Sequence, residues 1–295
     1  MTNLRVKILR LKAHAKINLY LDVLSRREDG YHEIRTLMQS VGLCDELRVT
    51  LHPSSIEIQC DHPALADPAE NLAFKAARLL QRVTGSSQGA KIEIIKNIPI
   101  AAGLAGGSAD AAAVLIGLNR LWDTRLCASR LRELGAELGS DVPFCLEGGT
   151  FLAEGRGEKL ERTSPLPEAF IVIATPKFSL STAEIYEKWD ARRPTVKEKL
   201  PGILRALDAG DLDQVGSNLA NALEAVVLED HPLVGKIKER SVQAGALGSI
   251  MSGSGPSVFA IAAGEDQAIA ISKALDGMGL VVVTKPVGHG VEIVD

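Results

Sequence analysis

A glycine-rich segment between a predicted strand and a predicted helix constrains this chain more than any other feature. It reads Pro99-Ile-Ala-Ala-Gly-Leu-Ala-Gly-Gly-Ser-Ala109, and it follows an apolar strand predicted at residues 91–96. An alanine-rich helix is predicted from about residue 108 to residue 122. Glycine lets the backbone approach a ligand closely, and the amides at a helix start attract anions. The segment therefore predicts a phosphate site, with Ser108 either as the helix N-cap or as a hydroxyl ligand to phosphate or Mg²⁺.

Two common nucleotide sites are excluded by what this segment lacks. It has no Gly-Lys-Ser/Thr of a P-loop. It also has no Gly-x-Gly-x-x-Gly followed by an acidic residue at a strand end, because Asp123 falls at the end of the predicted helix. A dinucleotide-dependent dehydrogenase is therefore not expected. A plain glycine-rich helix start that binds no ligand stays open as the alternative.

The composition is that of a globular protein built from small apolar side chains. The chain has 295 residues and a net charge of −4, with 46% hydrophobic residues but only 4% aromatic ones. This mild acidity excludes a general nucleic-acid surface, and no apolar run approaches the ~18 residues that span a membrane. The N-terminus does not resemble a signal peptide, and the four cysteines have no metal-ligand spacing. We therefore expect a cytoplasmic protein with reduced cysteines, without nucleic-acid or membrane partners.

Hydrophobic periodicity predicts an α+β protein in two domains. Apolar residues occupy odd positions over residues 11–23 and even positions over residues 4–8, so a bulge or turn is expected near Leu9. Further strands are predicted at 46–51 and 56–60, with a helix at 69–83 between 56–60 and 91–96. A proline-bearing segment at 162–167 suggests domains spanning residues 1–162 and 163–295. The strand–strand–helix–strand order at 249–284 resembles a ferredoxin-like unit.

Three motifs together resemble those of the GHMP kinases, which are small-molecule kinases unrelated to P-loop proteins. In chain order they are Ala13-His-Ala-Lys-Ile-Asn-Leu19, the glycine-rich segment, and Met251-Ser-Gly-Ser-Gly-Pro-Ser-Val258. Three more segments resemble the branch that phosphorylates the 2-hydroxyl of 4-diphosphocytidyl-2-C-methylerythritol in the non-mevalonate isoprenoid pathway: Asp29-Gly-Tyr-His-Glu33, Gly139-Ser-Asp-Val-Pro-Phe144 and Ser181-Thr-x₃-Tyr186.

The resemblance covers residues 11–287 and implies a two-domain GHMP kinase fold. The N-terminal domain would be ribosomal-protein-S5-like and would bind ATP, and the C-terminal domain would be ferredoxin-like. ATP and Mg²⁺ are the implied cofactors, although no metal ligands are assigned. The implied partner is a small cytidine diphosphate-linked substrate, and we expect a monomer or a weak homodimer.

Two residues are implied as catalytic by the resemblance. Asp141 matches the base that takes the proton of the attacking hydroxyl, and Lys16 matches its electrostatic partner. From the residues alone, Asp141 fits a residue that caps or closes a turn between a helix end and a strand predicted from Phe144, which is the role of most aspartates in such a context. Lys16 equally fits a solvated lysine on the polar face of its strand.

The binding residues are also implied by the resemblance. Cytidine would be contacted by Tyr31 and His32 beyond a polar turn, with Tyr186 stacking from the other side. The substrate-binding set is Asn18, Tyr31, His32, Thr182 and Tyr186, and Lys12 is a further inference. The ATP-binding set is Asn71, Lys96, Pro99, Ile100, Ala101, Ala102, Gly103, Leu104, Ala105, Gly106, Gly107, Ser108 and Ala109.

Two other functions remain open. A GHMP kinase for homoserine or mevalonate would not depend on Tyr31 or His32, because those substrates carry no base. A non-catalytic nucleotide-binding protein on the same fold would have no need of both Lys16 and Asp141.

Overall fold

The computed structural model describes residues 8–65, 67–194 and 197–294. The strands are β1 (Ile8–Arg26), β2 (His32–His52), β3 (Ile56–Cys60), β4 (Gly89–Ile95), β5 (Thr150–Gly155), β6 (Lys159–Arg162), β7 (Phe170–Thr175), β8 (Ala220–Asn221), β9 (Gly248–Met251), β10 (Val258–Ala262), β11 (Leu280–Thr284) and β12 (Val291–Val294). The α-helices are α1 (Leu72–Thr84), α2 (Gly106–Leu121), α3 (Ala128–Leu138), α4 (Val142–Glu147), α5 (Thr182–Arg192), α6 (Leu200–Ala209), α7 (Leu212–Ser217), α8 (Glu224–Asp230), α9 (Pro232–Gln243) and α10 (Glu265–Ala274). A 3₁₀ turn covers Pro63–Leu65.

The first sheet is organised around the long antiparallel hairpin of β1 and β2. Along its main path the strand order is β12-β1-β2-β4-β3, while β5 pairs with the first half of β2 and with β6. Strand β8 adds a short parallel pairing to β1. Strand β12, the last one described, pairs with residues 10–13 of β1, the first one described, so the two lie side by side in this sheet. The predicted domain boundary after residue 162 stays a prediction.

Strand β1 departs from strict alternation because its pairing with β2 is irregular. The register shifts between His14 and Lys16, between Asn18 and Tyr20, and again nearer the hairpin turn. The polar face predicted for β1 is buried: Lys16 is only 4% exposed and Asn18 only 2%. The prediction of a bulge or turn near Leu9 is wrong, since β1 runs without interruption from Ile8 and pairs regularly with β2 there. The earlier alternation at Leu4 and Val6 lies outside the described residues.

The second sheet is antiparallel, with the order β11-β7-β10-β9. Helix α10 connects β10 to β11, so the sheet has the ferredoxin-like order predicted from the closing elements. Ile171 and Ile173 on β7 join the larger hydrophobic core together with the first sheet. Val172 and Ala174 face the opposite way into a second core with α5, α8 and α9. The α+β class is confirmed.

Helix α2 is buried, and its many small apolar residues allow this close packing. It packs on β1 and β2 and against α1. Ala111, Ala112 and Ala113 have no exposed surface, and Gly117 lies against Leu11. Small side chains let α2 lie close to the sheet, which explains how a chain with few aromatics builds its core.

The segment after Asp141 differs from the prediction. Residues Val142–Glu147 form the short helix α4 rather than a strand from Phe144. Pro143 occupies the first turn, where its missing N–H costs nothing. The short apolar run of residues 142–146 does not distinguish a buried strand from a buried helical turn, so tertiary packing decided the outcome. Within the described ranges, no helix is long and apolar enough to cross a membrane.

Candidate active site

One cavity of about 730 Å³ receives residues from every predicted motif. Its walls come from β1 and β2, the glycine-rich segment, the start of α2, the residue pair Ser140–Asp141, helix α5 and the β9–β10 turn. The cavity has the size expected of a small-molecule site. Segments far apart in the sequence therefore meet at a single concave surface.

The glycine-rich segment forms a rigid loop held on both sides. Ala101, Gly103 and Ala105 all have positive φ values, of 50°, 78° and 58°. The carbonyl oxygen of Leu104 accepts from the Lys16 amide at 3.1 Å, and that of Ala102 accepts from the Ser257 amide at 3.3 Å. An alanine in the left-handed region costs about 1–2 kcal/mol, so these contacts must stabilise the conformation.

Gly103 is required by the close approach of the β9–β10 turn. A Cβ atom at this position would lie 2.1 Å from the carbonyl oxygen of Ser252. The Ser252 hydroxyl donates to the Gly103 carbonyl at 3.0 Å. Neither a larger side chain nor a shifted turn is compatible with this contact.

Helix α2 begins earlier than predicted. Its N-cap is Ala105, which offers no side-chain cap, and its first residue is Gly106. Ser108 is the third residue of the helix, so its prediction as N-cap is wrong and the alternative as a hydroxyl ligand in the cavity remains. The first amides of a helix lack intrahelical acceptors. Gly106 and Gly107 line the cavity, so this helix start offers the kind of backbone donors that suit an anion.

Lys16 joins the three motifs at the bottom of the cavity. Its Nζ donates to the Asn18 Oδ1 at 2.7 Å and to the Gly103 carbonyl at 3.1 Å. The same Nζ lies 3.6 Å from the Asp141 Oδ2. A Cβ on Gly253 would come within 3.2 Å of this ammonium group. Lys16 is therefore a fixed buried cation rather than a solvated surface lysine.

Asp141 does not serve as a helix cap. It occupies the N-cap position of α4, yet its side chain accepts no capping hydrogen bond. The side chain is 35% exposed, and it is turned toward Lys16 and the cavity. The carboxylate is consequently open to a ligand while it remains paired with a cation.

Asn18 is held by a chain of hydrogen bonds on the hairpin. Its amide group donates to the Thr36 hydroxyl at 2.8 Å, which in turn donates to the Tyr20 carbonyl at 2.7 Å. This arrangement fixes the Asn18 Oδ1 toward Lys16. Asn18 thus orients the lysine besides lining the cavity.

An aromatic group forms the other end of the cavity. His32 stacks on Tyr186, with ring centroids 4.6 Å apart and an interplanar angle of 28°. The His32 Nε2 lies 2.9 Å from the Asp190 Oδ1. Tyr31 is 52% exposed, and the Arg156 guanidinium lies 4.7 Å from its ring centroid. Burial raises the pKa of the Tyr186 hydroxyl, so this group stays protonated at neutral pH.

Helix α5 is tied to the β9–β10 turn. The Thr182 hydroxyl lies 2.9 Å from the Ser254 hydroxyl. Asn221 donates to the carbonyls of Met251 and Gly253, both at 2.8 Å. These bonds connect the aromatic end of the cavity to the turn that touches Lys16.

Lys96 belongs to a buried charge cluster at the root of the glycine-rich loop. Its Nζ donates to Asp45 and, at 2.7 Å, to Asp110 on α2. The other Asp45 oxygen accepts from the amides of Asn97 at 2.7 Å and Ile98 at 2.8 Å. Burial, outweighing the attraction of Lys96, raises the pKa of Asp110 to about 8. The cluster ties β2, the end of β4 and the first turns of α2 together.

The structure brings most of the predicted site residues to this cavity. Those that line it are Lys16, Asn18, Tyr31, His32, Lys96, Pro99, Ile100, Ala101, Ala102, Gly103, Ala105, Gly106, Gly107, Ser108, Asp141, Thr182 and Tyr186.

Four predicted residues lie elsewhere. Leu104 and Ala109 are buried in the main core. Asn71 caps α1, accepting from the Ala73 amide at 3.0 Å. Lys12 lies 3.7 Å from Glu292 at the far edge of the sheet. None of the four lines the cavity.

Sequence reasoning missed several residues of the aromatic end. Asp190, Arg156 and Arg26 line the cavity. The Arg26 Nη1 lies 3.4 Å from the Asp190 Oδ2. Charged residues on an exposed helix or in a turn carry no distinguishing pattern, so only the fold identifies them. In the sequence, nothing distinguishes Asp190, the partner of His32, from the other acidic residues of α5.

The chain matches two family models. Residues 71–149 match the GHMP kinases N terminal domain, and residues 203–279 match the GHMP kinases C terminal domain.

Curated relatives match over most of their length. A 4-diphosphocytidyl-2-C-methyl-D-erythritol kinase from Synechococcus sp. is 47% identical, with 88% of this chain and 86% of the relative covered. The protein of the same name from Caldanaerobacter subterraneus is 41% identical, with 97% and 99% covered.

Two solved structures are similar to this chain over nearly its whole length. A crystal structure of 4-(cytidine 5′-diphospho)-2C-methyl-D-erythritol kinase has a TM-score of 0.80 and 34% identity, covering 95% of this chain and 99% of that one. A homoserine kinase from Cytophaga hutchinsonii shares the fold, with a TM-score of 0.78 and 21% identity over 100% and 99% of the two chains.

Proposed function

The chain belongs to the GHMP kinases, within the branch of the 4-diphosphocytidyl-2-C-methyl-D-erythritol kinases, and on this premise we propose how its cavity performs the reaction. The enzyme transfers a phosphoryl group from ATP to the 2-hydroxyl of 4-diphosphocytidyl-2-C-methyl-D-erythritol. The products are the 2-phosphate and ADP, and the reaction belongs to the non-mevalonate route to isoprenoid precursors.

The glycine-rich segment is the phosphate site for ATP in this proposal. The amides at the start of α2 and the Ser108 hydroxyl face the cavity and supply donors for phosphate oxygens. Gly103 keeps the loop against the β9–β10 turn, so the donors are fixed before ATP binds. Lys96 contributes to the nucleotide pocket through its aliphatic stem, since its ammonium group is paired with two carboxylates.

The observation that carries the proposed chemistry is the Lys16–Asp141 pair, 3.6 Å apart in the same cavity as the anion-binding loop. Asp141 accepts the proton of the 2-hydroxyl as this oxygen attacks the γ-phosphorus. The new O–P bond forms while the bond from the γ-phosphorus to the bridging oxygen breaks, and ADP leaves with that electron pair. Lys16, whose Nζ lies 3.6 Å from the Asp141 Oδ2, offsets negative charge on the transferred group.

Mg²⁺ fits the donors of this cavity. Asp141 and Ser108 both line it, and carboxylate and hydroxyl oxygens are the hard ligands that Mg²⁺ prefers. We propose that these two residues hold Mg²⁺ together with ATP oxygens. The ion would neutralise phosphate charge during transfer.

The aromatic end of the cavity recognises cytidine in this proposal. Tyr31 provides an exposed ring against which a base can stack, and the His32–Tyr186 stack forms the facing wall. When the neutral His32 ring donates its Nε2 proton to Asp190, its Nδ1 is left as an acceptor. An acceptor there suits the exocyclic amino group of cytosine. Because His32 covers one face of the Tyr186 ring, that face is not available to a base.

Three predicted properties stay predictions: the cytoplasmic location, the monomer or weak homodimer, and the absence of nucleic-acid partners.

The direct test is ADP release with Mg·ATP and a panel of acceptors. The panel contains 4-diphosphocytidyl-2-C-methyl-D-erythritol, homoserine, mevalonate and a blank. We expect turnover with the cytidine compound alone. Turnover with homoserine or mevalonate instead, or ATP binding without any turnover, would contradict the proposal.

A variant separates cytidine recognition from nucleotide binding. Tyr31→Ala should raise KM for the cytidine substrate about 5- to 150-fold, because stacking on an aromatic ring contributes about 1–3 kcal/mol per base. KM for ATP should stay near the wild-type value. Equal increases in both constants would remove Tyr31 from the cytidine site.

A further inference from the structure

Two histidines and a glutamate meet where β12 pairs with β1. His14 lies on β1, His289 precedes β12, and Glu292 lies on β12. One potential ligand atom from each side chain lies within 4.8 Å of the other two. None of the three residues lines the active-site cavity, so the kinase mechanism does not use them.

His14 is fixed with one ring nitrogen directed into this cluster. The side chain is 5% exposed, and its Nδ1 lies 3.2 Å from the Val41 carbonyl oxygen. Donation from Nδ1 leaves Nε2 as a lone-pair acceptor. Within the described part of the chain, this buried Nε2 has no hydrogen-bond partner. A buried polar atom without a partner is costly, and a histidine held through its other nitrogen is typical of metal ligands.

The other two groups surround the same nitrogen. The Glu292 Oε2 lies 3.9 Å from the His14 Nε2. The His289 ring meets the His14 ring edge-on, with centroids 4.8 Å apart and an interplanar angle of 79°. Ligand atoms around Zn²⁺ lie about 3.3–3.5 Å from one another, given bonds of about 2.0–2.1 Å. Rotations that shift the exposed His289 and the half-buried Glu292 by about 1 Å reach this spacing.

Lys12 competes with a cation at this place. Its Nζ lies 3.7 Å from the Glu292 Oε2, directly across the strand pair. The Lys12 side chain is 41% exposed, so it can swing into solvent when another cation binds Glu292. An exposed ion pair of this kind contributes little to stability.

We propose that His14, His289 and Glu292 bind one divalent transition-metal ion of the Zn²⁺ class, with water completing the coordination. Imidazole and carboxylate ligands in this ratio suit such an ion and not Mg²⁺. The ion clamps the last strand of the chain onto β1.

The clamp also supports the segment that carries Asp141. The His14 amide donates to the Gly290 carbonyl at 2.9 Å. Gly290 in turn lies so close to α4 that an added Cβ would be 1.9 Å from the Cys145 carbonyl oxygen. Helix α4 begins directly after Asp141. The expected role of the metal is therefore structural.

The test uses the tag-free, chelator-treated full-length enzyme without nucleotide. Zn²⁺ is titrated by isothermal calorimetry, and Co²⁺ is titrated by visible absorption, which reports low-coordinate nitrogen and oxygen ligation. We expect one equivalent per chain and a higher melting temperature with Zn²⁺. His289→Ala should weaken binding at least ~100-fold, because loss of groups that merely orient a ligand already costs about 10- to 100-fold.

Two further variants make the result specific. His52→Ala is the matched control, because His52 is also a surface histidine beside a carboxylate, 3.6 Å from Glu57; it should bind the metal like wild type. Lys12→Ala should strengthen binding, since it removes the competing cation. Binding by His289→Ala that equals the wild type, or no binding by the wild type at millimolar metal, would overturn the proposal. In the absence of Zn²⁺ and Co²⁺, the kinase turnover measured with Mg·ATP should be the same in wild type and His289→Ala.

Discussion

Replacing Lys96 by methionine tests the buried charge cluster that supports the glycine-rich loop. The methionine keeps most of the aliphatic stem but removes the ammonium group that donates to Asp45 and Asp110. Lys96 is only 4% exposed on its side chain, and Asp45 is not exposed at all. Breaking a buried ion pair by removing one partner costs about 3–5 kcal/mol, because the remaining charge is left without compensation. We therefore expect the free energy of unfolding to fall by about this amount.

The expected loss converts into a measurable melting shift. The shift in Tm is the loss in free energy divided by the unfolding entropy, which is about 2.1 cal/mol/K per residue. For 295 residues, a loss of about 3–5 kcal/mol lowers Tm by about 5–8 °C. Calorimetry at pH 7 measures it. Lys159→Met, at an exposed position on β6, is the matched control and should change the stability by less than about 0.5 kcal/mol.

A second substitution distinguishes charge from packing. Lys96→Met combined with Asp45→Asn removes the carboxylate that was left uncompensated, while the Asn oxygen can still accept from the amides of Asn97 and Ile98. The double variant should be more stable than Lys96→Met alone. The reasoning would be refuted if the free energy of unfolding of Lys96→Met lay within about 1 kcal/mol of the wild-type value. It would also be refuted if the double variant lost as much stability as the two single variants added together.

Three other predictions follow from the site. Asp141→Asn should lower kcat at least ~100-fold while the ATP dissociation constant stays near wild type, and near-normal turnover would exclude Asp141 as the base. Gly103→Ala should weaken ATP binding at least tenfold through its clash with Ser252, whereas Gly85→Ala, which has positive φ but open space around it, should not; equal affinities would count against the preformed loop. Asp110 carries a pKa raised from 3.8 to about 8, so the folded state retains a proton that the unfolded chain releases, and its contribution to stability is lost as the pH rises through that window. Tm measured from pH 5 to 9 should therefore decline less in Asp110→Asn than in wild type, and parallel profiles would contradict the assignment.

Local sequence patterns determined most of the elements and the motifs. Strand β3 has the bounds that were predicted from its alternating apolar and polar residues. This pattern involves only neighbouring residues, so the sequence shows it directly. The glycine-rich segment was likewise identifiable, since close backbone approach needs glycine at particular places. Lys16 and Asp141 were identified only through their resemblance to GHMP kinase motifs. The aromatic pair Tyr31–His32 was detectable in a chain with only three tyrosines.

Other features depended on contacts between distant segments. The burial of Lys16 and Asn18 follows from register shifts and from the turn at Ser252, neither of which alternation in β1 reveals. The apolar residues after Asp141 became helix α4 because packing, rather than propensity, decided a short ambiguous run.

The sequence by itself determined that this chain has a glycine-rich segment between a strand and a helix, and an α+β architecture that ends in a ferredoxin-like unit. The resemblance to GHMP kinase motifs singled out Asp141 as a candidate base and Lys16 as its candidate partner. Only the tertiary structure decided that Asp141 faces Lys16, that Asp190 holds His32, that Lys96 contacts both Asp45 and Asp110, and that His14 meets His289 and Glu292. The physical reason is distance along the chain. Backbone conformation is specified by neighbouring residues. Each of these pairings instead joins side chains between 14 and 278 residues apart, whose approach depends on how the whole core packs.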